Sequence, residues 1–176
     1  MIMTRLAETE TYTDRAKNRY HKHPLYNAIW VADAEQRMNF LPAYFTHQYL
    51  AFERAVFHMA DGTIEDSHGY WEYALTADGI PFVYPAYKVI GDDLSIRMSV
   101  SNAFGDNTQE LHPVLAGIHT TMLAVLAMMH AVDKLQLSDE EESLLHDRYH
   151  QLRNLGLKLA KASGEDQSRA FFVLID

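Results

Sequence analysis

The most informative absence from this sequence is cysteine, of which there is none. Disulfides, thiolate metal sites and a cysteine nucleophile are therefore excluded. Basic residues are also scarce, because 15 Lys and Arg stand against 24 Asp and Glu and the formal net charge is −9. A nucleic-acid binder needs a basic footprint, and so does a protein that attaches to an anionic membrane surface. We therefore expect no nucleic-acid partner and no membrane partner.

Several signals of cofactor chemistry and targeting are also missing. The eight glycines are scattered, and they form neither a G-x-G-x-x-G fingerprint nor a P-loop. There is no G-x-S-x-G elbow of the kind that hydrolases use. The first residues, MIMTRLAETETYTDR, lack the apolar segment of a signal peptide. These absences predict a cytoplasmic protein without a nucleotide-phosphate site.

Only one apolar run, from Pro113 to Val132, approaches the length of a membrane span. It contains two histidines and two threonines and lies between acidic flanks, so we interpret it as a buried helix. The chain has 176 residues, of which 48% are hydrophobic and 22% charged. These values predict one folded domain covering residues 1–176.

The same run defines the predicted centre of the fold. Thr108 is the expected N-cap, and Pro113 falls early enough in a helix to be tolerated. From there to Leu135 apolar residues occur on nearly every side of the helix, which is typical of a helix buried on most sides. We therefore predict an all-α protein, a compact helical bundle around a central buried helix at about 108–135.

Two other helices are predicted from caps and apolar periodicity. Asp33 caps a helix that runs to about Ala60, kinked or split at Pro42. The residues of its predicted inner face are Phe45, Tyr49, Phe52 and Val56. A capping box at Ser138 opens the last long helix, which ends near Ala162 with Leu145, Leu152, Leu155 and Leu159 inward. The apolar tail AFFVLID is expected to pack back onto the body or onto a partner.

The middle of the chain allows two interpretations. Residues 63–66, T-I-E-D, form a capping-box pattern that predicts a helix to about Thr76. The segment WEYALTADGIPFVYP also fits a β-hairpin around Asp78-Gly79. We favour helix, loop and helix, because no third strand is evident and an isolated hairpin is marginal. Asp92 or Asp93 is then expected to cap a further helix to about Phe104.

Ten histidines and many carboxylates make a His/carboxylate metal site the first enzymatic hypothesis. Glu65 and His68 have the E-x-x-H spacing of carboxylate-bridged iron bundles. His146 and His150 are four residues apart, which places both imidazoles on one helix face. Glu53 projects among apolar residues and needs a partner or a metal. The alternative for each is an ordinary structural role.

A ligand pocket is predicted beside these candidates. Tyr49, Phe52 and Trp71 supply aromatic walls, and His119 on the central helix supplies a polar group. The alternative is that these side chains belong to the core. His119 lies on one stripe with His112 and His130, which also fits a seam between packed helices.

Two stretches resemble the haem-oxygenase-like helical superfamily, which includes the TenA and PqqC groups and non-haem iron oxidases. HPLYNAI and FLPAYFTHQYLAFERA, within residues 23–55, are similar to its opening His-Pro segment and aromatic second helix. IEDSHGYWEYALTADGI is similar to the E-x-x-H helix of its iron-dependent members. The resemblance implies that Glu65, His68 and one late histidine, His146 or His150, bind iron. The cysteine nucleophile of the TenA group is absent.

A second, minor resemblance concerns RYHKHPLYNAIWVADAEQRMNFLPAYF, which is similar to the N-terminal helices of some GNAT acetyltransferases. That family holds coenzyme A with a Q/R-x-x-G-x-G/A loop, which this sequence lacks. A further alternative is haem bound through His21 or His23.

The leading hypothesis is a non-haem iron oxidase or oxygenase that acts on a small organic substrate. In this hypothesis Glu65, His68, His146 or His150 and Glu53 are the ligand candidates. The alternative from another class is a non-catalytic helical ligand-binding module. We expect its central helix to be buried partly by a second copy, so that the protein is a homodimer.

Overall fold

Helices account for most of the described residues in a computed structural model, which describes residues 29–31, 34–86, 93 and 95–176. A mostly helical protein is therefore confirmed, but the all-α class omits five strands. The strands are β1 (Ile29–Val31), β2 (Trp71–Thr76), β3 (Pro81–Pro85), β4 (Met98–Ser101) and β5 (Thr108–Leu111). The helices are α1 (Ala34–Tyr44), α2 (Tyr49–Thr63), α3 (Pro113–Met129), α4 (Val132–Leu135), α5 (Asp139–Ser163) and α6 (Glu165–Ile175). The predicted cap Asp33 and the haem candidates His21 and His23 lie outside the described residues.

Helix α3 is buried over its first ten residues, and it contacts α5, α2 and β3. It begins at Pro113, and the prediction of a helix from Thr108 is wrong because residues 108–111 form β5. Pro113 explains the boundary, because proline disfavours the α conformation in the residue before it. That residue, His112, is extended and caps the helix, its Nδ1 accepting from the Val114 N–H at 3.3 Å.

The predicted continuation of this helix to Leu135 is interrupted. Helix α3 ends at Met129, and the short helix α4 follows it. The C-cap of α4 is Gln136, which has a left-handed φ of 53°.

Among the described residues, none of the helices combines the length and the apolar character that a membrane span requires.

The hairpin around Asp78-Gly79, which was the less favoured of the two interpretations, is present. Strands β2 and β3 pair antiparallel around a turn in which Gly79 has a φ of 78°. A glycine suits this turn because L side chains rarely adopt a positive φ. Strand β1 pairs with the other edge of β2 and gives a three-stranded sheet. The missing third strand was the reason for preferring helices, and β1 supplies it.

The helix predicted for residues 63–76 is also replaced by non-helical structure, and so is the described part of the helix predicted up to Phe104, whose candidate cap Asp92 lies outside the described residues. After α2, Ile64 forms a bridge to Val100 in β4. Asp66 then has a left-handed φ of 57°, which a continuing helix does not allow. Strand β4 pairs with β5 as a second, two-stranded sheet. Tertiary pairing has therefore overridden the local capping-box pattern.

The predicted helix from Asp33 to Ala60 is two helices. Pro42 lies inside α1, and the break comes after it, at residues 45–48. On the predicted inner face Phe45, Phe52 and Val56 are buried, whereas Tyr49 is 39% exposed.

The connection between α1 and α2 is fixed to the start of α5 through Glu141. One carboxylate oxygen of Glu141 accepts from the Thr46 hydroxyl at 2.8 Å and from the His47 N–H at 2.9 Å. The His47 ring nitrogen Nδ1 lies 2.6 Å from the same oxygen. The other oxygen accepts from the Ser138 N–H at 3.1 Å. The predicted capping box at Ser138 is therefore confirmed, and it also joins two parts of the chain.

Helices α5 and α6 pack against each other as the apolar pattern predicts. The four predicted leucines of α5 are buried, and so are Ala170, Phe171 and Leu174 of the tail. Gly156 lies directly against the Phe171 ring. The buried Gln167 amide accepts from the His112 N–H and donates to the Glu110 carbonyl, both at 2.8 Å. Helix α6 is thus held to β5 and α3 by hydrogen bonds as well as by apolar contact.

Candidate functional site

A cleft opens between α1, α2 and the β2–β3 hairpin. Its space is about 210 Å³ when the open solvent at its mouth is counted, and the part enclosed by side chains has room for about one water molecule. It is therefore a shallow cleft at the surface rather than a pocket for a whole ligand. The residues that line it are Leu41, Glu53, Val56, Phe57, Trp71, Tyr73 and Val83.

Helix and strand periodicity bring these residues together. Glu53, Val56 and Phe57 are three and four residues apart on α2, so they share one helix face. Tyr73 on β2 is paired directly with Val83 on β3, which places their side chains on the same face of the sheet. The cleft is therefore built where one face of α2 meets one face of the hairpin.

A carboxylate and a phenol form the polar pair of the cleft. The Tyr73 hydroxyl donates to Glu53 Oε1 at 2.9 Å. Burial, together with this hydrogen bond, raises the pKa of Tyr73 well above its usual value of 10. Tyr73 therefore remains protonated at neutral pH and acts as a donor. Within the described residues, no Lys or Arg forms a salt bridge with Glu53.

Aromatic rings give the cleft its walls and its mouth. The Trp71 indole is 4% exposed, and its N–H donates to the Ser67 carbonyl at 3.2 Å. Phe57 meets Trp71 edge to face with ring centroids 6.1 Å apart, and Phe57 is 40% exposed. Tyr70, next to Trp71 in sequence, is 54% exposed. Buried and open aromatic surface thus lie side by side here.

An arginine completes the polar surroundings of β2. The Arg37 guanidinium forms an ion pair with Glu72. It also lies over the Tyr70 ring, 4.4 Å from the centroid, and 5.8 Å from the Tyr73 centroid. This stacking is favourable because the face of an aromatic ring attracts a cation. One cationic side chain of the protein, Arg37, therefore already lies against aromatic rings beside the cleft.

The structure places the predicted pocket residues in four different environments. Trp71 lines the cleft. Phe52 is fully buried and stacks on Phe45 with centroids 4.1 Å apart, so it belongs to the core. Tyr49 is exposed at the start of α2. His119 is buried in α3, and it does not line the cleft.

The predicted metal ligands are dispersed in the same way. Glu65 and His68 lie exposed in the connection between α2 and β2, where the E-x-x-H spacing no longer puts them on one helix face. His146 and His150 are exposed on α5, as their helical projection predicts. Glu53 lines the cleft. Among the described residues no three His, Asp or Glu side chains are grouped so that they could hold a metal ion.

His119 has an unusual environment for a histidine. It is 1% exposed, and within the described residues neither ring nitrogen has a hydrogen-bond partner of good geometry. Burial lowers its pKa to about 4, although the nearby backbone of Leu174 opposes this shift. The ring is therefore neutral at pH 7 and packs like an apolar group between α3 and α6.

Sequence reasoning missed Leu41, Val56 and Val83 as cleft residues. The signal for Val83 was present, because the hairpin pattern also fixes which residues of β3 share a face with Tyr73. The signal for Leu41 was absent, because nothing local shows which side of α1 faces the hairpin.

The comparisons with known proteins add no family. No family model matches this chain, and no curated protein matches it significantly. Neither the haem-oxygenase-like resemblance nor the GNAT resemblance is tested by these comparisons.

Proposed function

We propose that this protein is a non-catalytic binding module, and that the shallow cleft beside α2, together with the exposed Phe57 ring, binds a small apolar group with a positively charged nitrogen. The observation that carries the proposal is the combination of Glu53 with the aromatic residues of the cleft. Apolar walls favour a hydrocarbon group, and a carboxylate together with aromatic faces favours a cation. Beside the cleft, the Arg37 guanidinium already lies over the Tyr70 ring and forms an ion pair with Glu72.

Binding is preferred to catalysis because of the residues that line the cleft. Glu53 and Tyr73 are hydrogen bonded to each other, and the remaining lining residues are Leu, Val, Phe and Trp. An enzyme site of the usual kind combines a nucleophile or base with a third group that orients it. The cleft instead offers one charge, which is already hydrogen bonded to Tyr73, and a small area of accessible apolar surface beside the exposed Phe57 ring.

The proposal treats α3 as the scaffold of the module. In the proposed arrangement the hairpin packs on α3 and keeps the cleft residues in place when a ligand binds. The homodimer that the apolar sequence of this helix suggests is part of the same proposal. Light scattering on the full chain measures it directly.

A fluorescence titration tests ligand binding at the cleft. The chain has two tryptophans, so Trp30→Phe leaves Trp71 as the only indole reporter. Butylamine, butanol and butyrate have the same number of carbon atoms, four, but at neutral pH they carry a positive charge, no charge and a negative charge respectively. We expect a saturable change in Trp71 emission with butylamine, weaker binding of butanol and none of butyrate.

Matched variants separate the cleft from general charge effects. Glu53→Gln keeps the shape of the side chain and should weaken butylamine binding about tenfold, which corresponds to about 1.4 kcal/mol. Glu65→Gln removes an exposed carboxylate outside the cleft and should change nothing. Equal affinities for the three ligands, or equal effects of the two variants, would contradict the proposal.

The non-haem iron oxidase hypothesis is tested on the same preparation by its metal content. Protein purified without chelators is analysed beside the Glu65→Ala/His68→Ala variant. Near-stoichiometric iron that disappears in the variant would support an iron site at these residues. Absence of iron after anaerobic loading with Fe(II) would leave the binding module as the better hypothesis.

A further inference from the structure

A pair of histidines lies exposed on α5, away from the cleft residues. His146 and His150 are four residues apart, and their ring centroids are 4.6 Å apart with an interplanar angle of 63°. Both rings are on the solvent side of the helix, opposite the buried leucines. Two imidazoles held this close on one face can reach a common ion.

The helix that carries the pair is well fixed. Its N-terminus has a complete capping box, and Leu145 and Leu152 beside the histidines are fully buried. The backbone of the pair is therefore held in place before any ligand binds, which reduces the entropic cost of ordering it. One turn earlier Glu142 is exposed and adds negative charge on the same side.

We propose that His146 and His150 form a two-histidine chelate for a divalent transition metal of the class that prefers imidazole, namely zinc, copper or nickel. Imidazole nitrogen is a favoured ligand for these ions, whereas magnesium and calcium prefer oxygen. Water fills the remaining coordination positions. The site needs neither Glu65 nor His68, and it is independent of the ligand proposed for the cleft.

Isothermal titration calorimetry with Ni²⁺ and Zn²⁺ tests the proposal on the full chain. His21 and His23 form a second close pair in the sequence, so the reference protein carries His21→Gln and His23→Gln. We expect this reference to bind one metal ion per chain and to bind Mg²⁺ at least about a hundredfold more weakly, because imidazole is a poor ligand for a hard cation. Equal affinity for Mg²⁺ would overturn the proposal.

Single substitutions then locate the site. His146→Gln and His150→Gln should each weaken Ni²⁺ binding at least about tenfold, because a chelate loses one of its two bonds. His58→Gln, which removes another exposed histidine from a helix, is the matched control and should bind like the reference. Unchanged binding in either test variant, or an equal loss in the control, would overturn the proposal.

A rescue variant tests the spacing itself. Asn154 is exposed one turn after His150. Adding Asn154→His to the His146→Gln variant therefore recreates an i, i+4 pair on the same helix. We expect Ni²⁺ affinity to return to within about threefold of the reference, because the ligand geometry is repeated. No recovery in a variant with unchanged helical circular dichroism would show that spacing is not what binds the metal.

Discussion

The α5–α6 pair and the cleft region each place one buried and one exposed phenylalanine on an amphipathic helix, but the rings lie in different surroundings. In α6 the buried Phe171 fills the space left by Gly156, and only its neighbour Phe172 is open, at 48% exposed. In α2 Phe52 is buried in the core, whereas Phe57 is 40% exposed beside the buried Trp71. The α5–α6 contact is closed by Phe171 against Gly156, and the exposed Phe57 of the cleft region lies edge to face against Trp71 and lines the cleft.

The two regions are therefore suited to different tasks: the α5–α6 contact to folding stability and the cleft region to ligand recognition. Apolar surface that is fully covered lowers the free energy of the folded chain. Aromatic surface that is half covered contributes less to folding and stays available for contact with another molecule. If the two regions divide these tasks, substitutions in the α5–α6 contact should change stability, and substitutions in the cleft should change binding.

The largest effect on stability is expected at the contact between α5 and α6. Phe171→Ala should lower the free energy of unfolding by about 4 kcal/mol, because it removes a fully buried ring and leaves a cavity against Gly156. Phe172→Ala, one residue later, should cost less than about 1 kcal/mol. Urea unfolding of the two variants measures both. Equal losses would show that the α5–α6 contact is not closed as described.

Gly117 lies at the contact between α3 and the β2–β3 hairpin, which forms one side of the cleft. A Cβ atom at this position would collide with the Val83 carbonyl and with Tyr84. Since the carbonyl is backbone and cannot move aside cheaply, Gly117→Ala should destabilise the chain by about 3 kcal/mol despite the better helix propensity of alanine. Gly62→Ala in α2 meets nothing within 4 Å and should be neutral or stabilising. Thermal unfolding of the two variants is the measurement.

The buried His119 of α3 predicts that the free energy of unfolding falls in acid. Its folded-state pKa is about 4, below the ordinary value of 6.5. The unfolded chain therefore binds the proton more readily, so the contribution of this group to stability is complete above pH 6.5 and is lost as the pH falls towards 4. His119→Leu should remove about 2 kcal/mol of this pH-dependent loss without reducing stability at pH 7. The measurement is urea unfolding at several pH values, and parallel plots of the free energy of unfolding against pH for wild type and variant would contradict the prediction.

The hydrogen bonds of Glu141 predict a smaller, more acidic transition. Partial burial raises the pKa of this carboxyl, but hydrogen bonds from His47, Ser138 and Thr46 outweigh it and lower the pKa to about 2. The stabilisation is therefore present above about pH 4.5 and is lost as the pH falls towards 2. Glu141→Gln should cost about 1 kcal/mol at pH 7 and much less at pH 2.5. Glu140→Gln, at an exposed neighbouring position, is the control.

The smallest effect on folding is expected in the cleft. Glu53→Gln should change the free energy of unfolding by less than about 0.5 kcal/mol, because the amide oxygen can still accept from Tyr73. The same variant should weaken amine binding about tenfold. A large loss of stability with unchanged binding would reverse the assignment and make Glu53 a structural residue.

The α5–α6 pair could also be predicted from the sequence more completely than the cleft region. Helix α5 and its cap were predicted because a capping box and a leucine period are local signals. The hairpin was only the second of two interpretations, because the strand that supports it, β1, lies about forty residues before it in sequence. Helix α3 was started too early, since Thr108 is as good a cap as it is a strand residue, and only pairing with β4 decides between them.

The candidate site was predicted only in part, for a related reason. Trp71 and Glu53 were identified from their types and their helical or apolar surroundings. Their contact with Tyr73 and Val83 depends on how α2 packs against the sheet, which no local pattern encodes. The E-x-x-H pair shows the opposite error, because its spacing is meaningful only on a helix and the chain is not helical at Glu65 and His68.

The most direct test of the account is a titration of ¹⁵N-labelled protein with butylamine, followed by amide chemical-shift changes. The account predicts saturable shifts at cleft residues such as Phe57, Trp71 and Tyr73, and at most small shifts in α5 and α6. Shifts centred on α5 and α6, or no saturable shift at any residue, would contradict the assignment of recognition to the cleft.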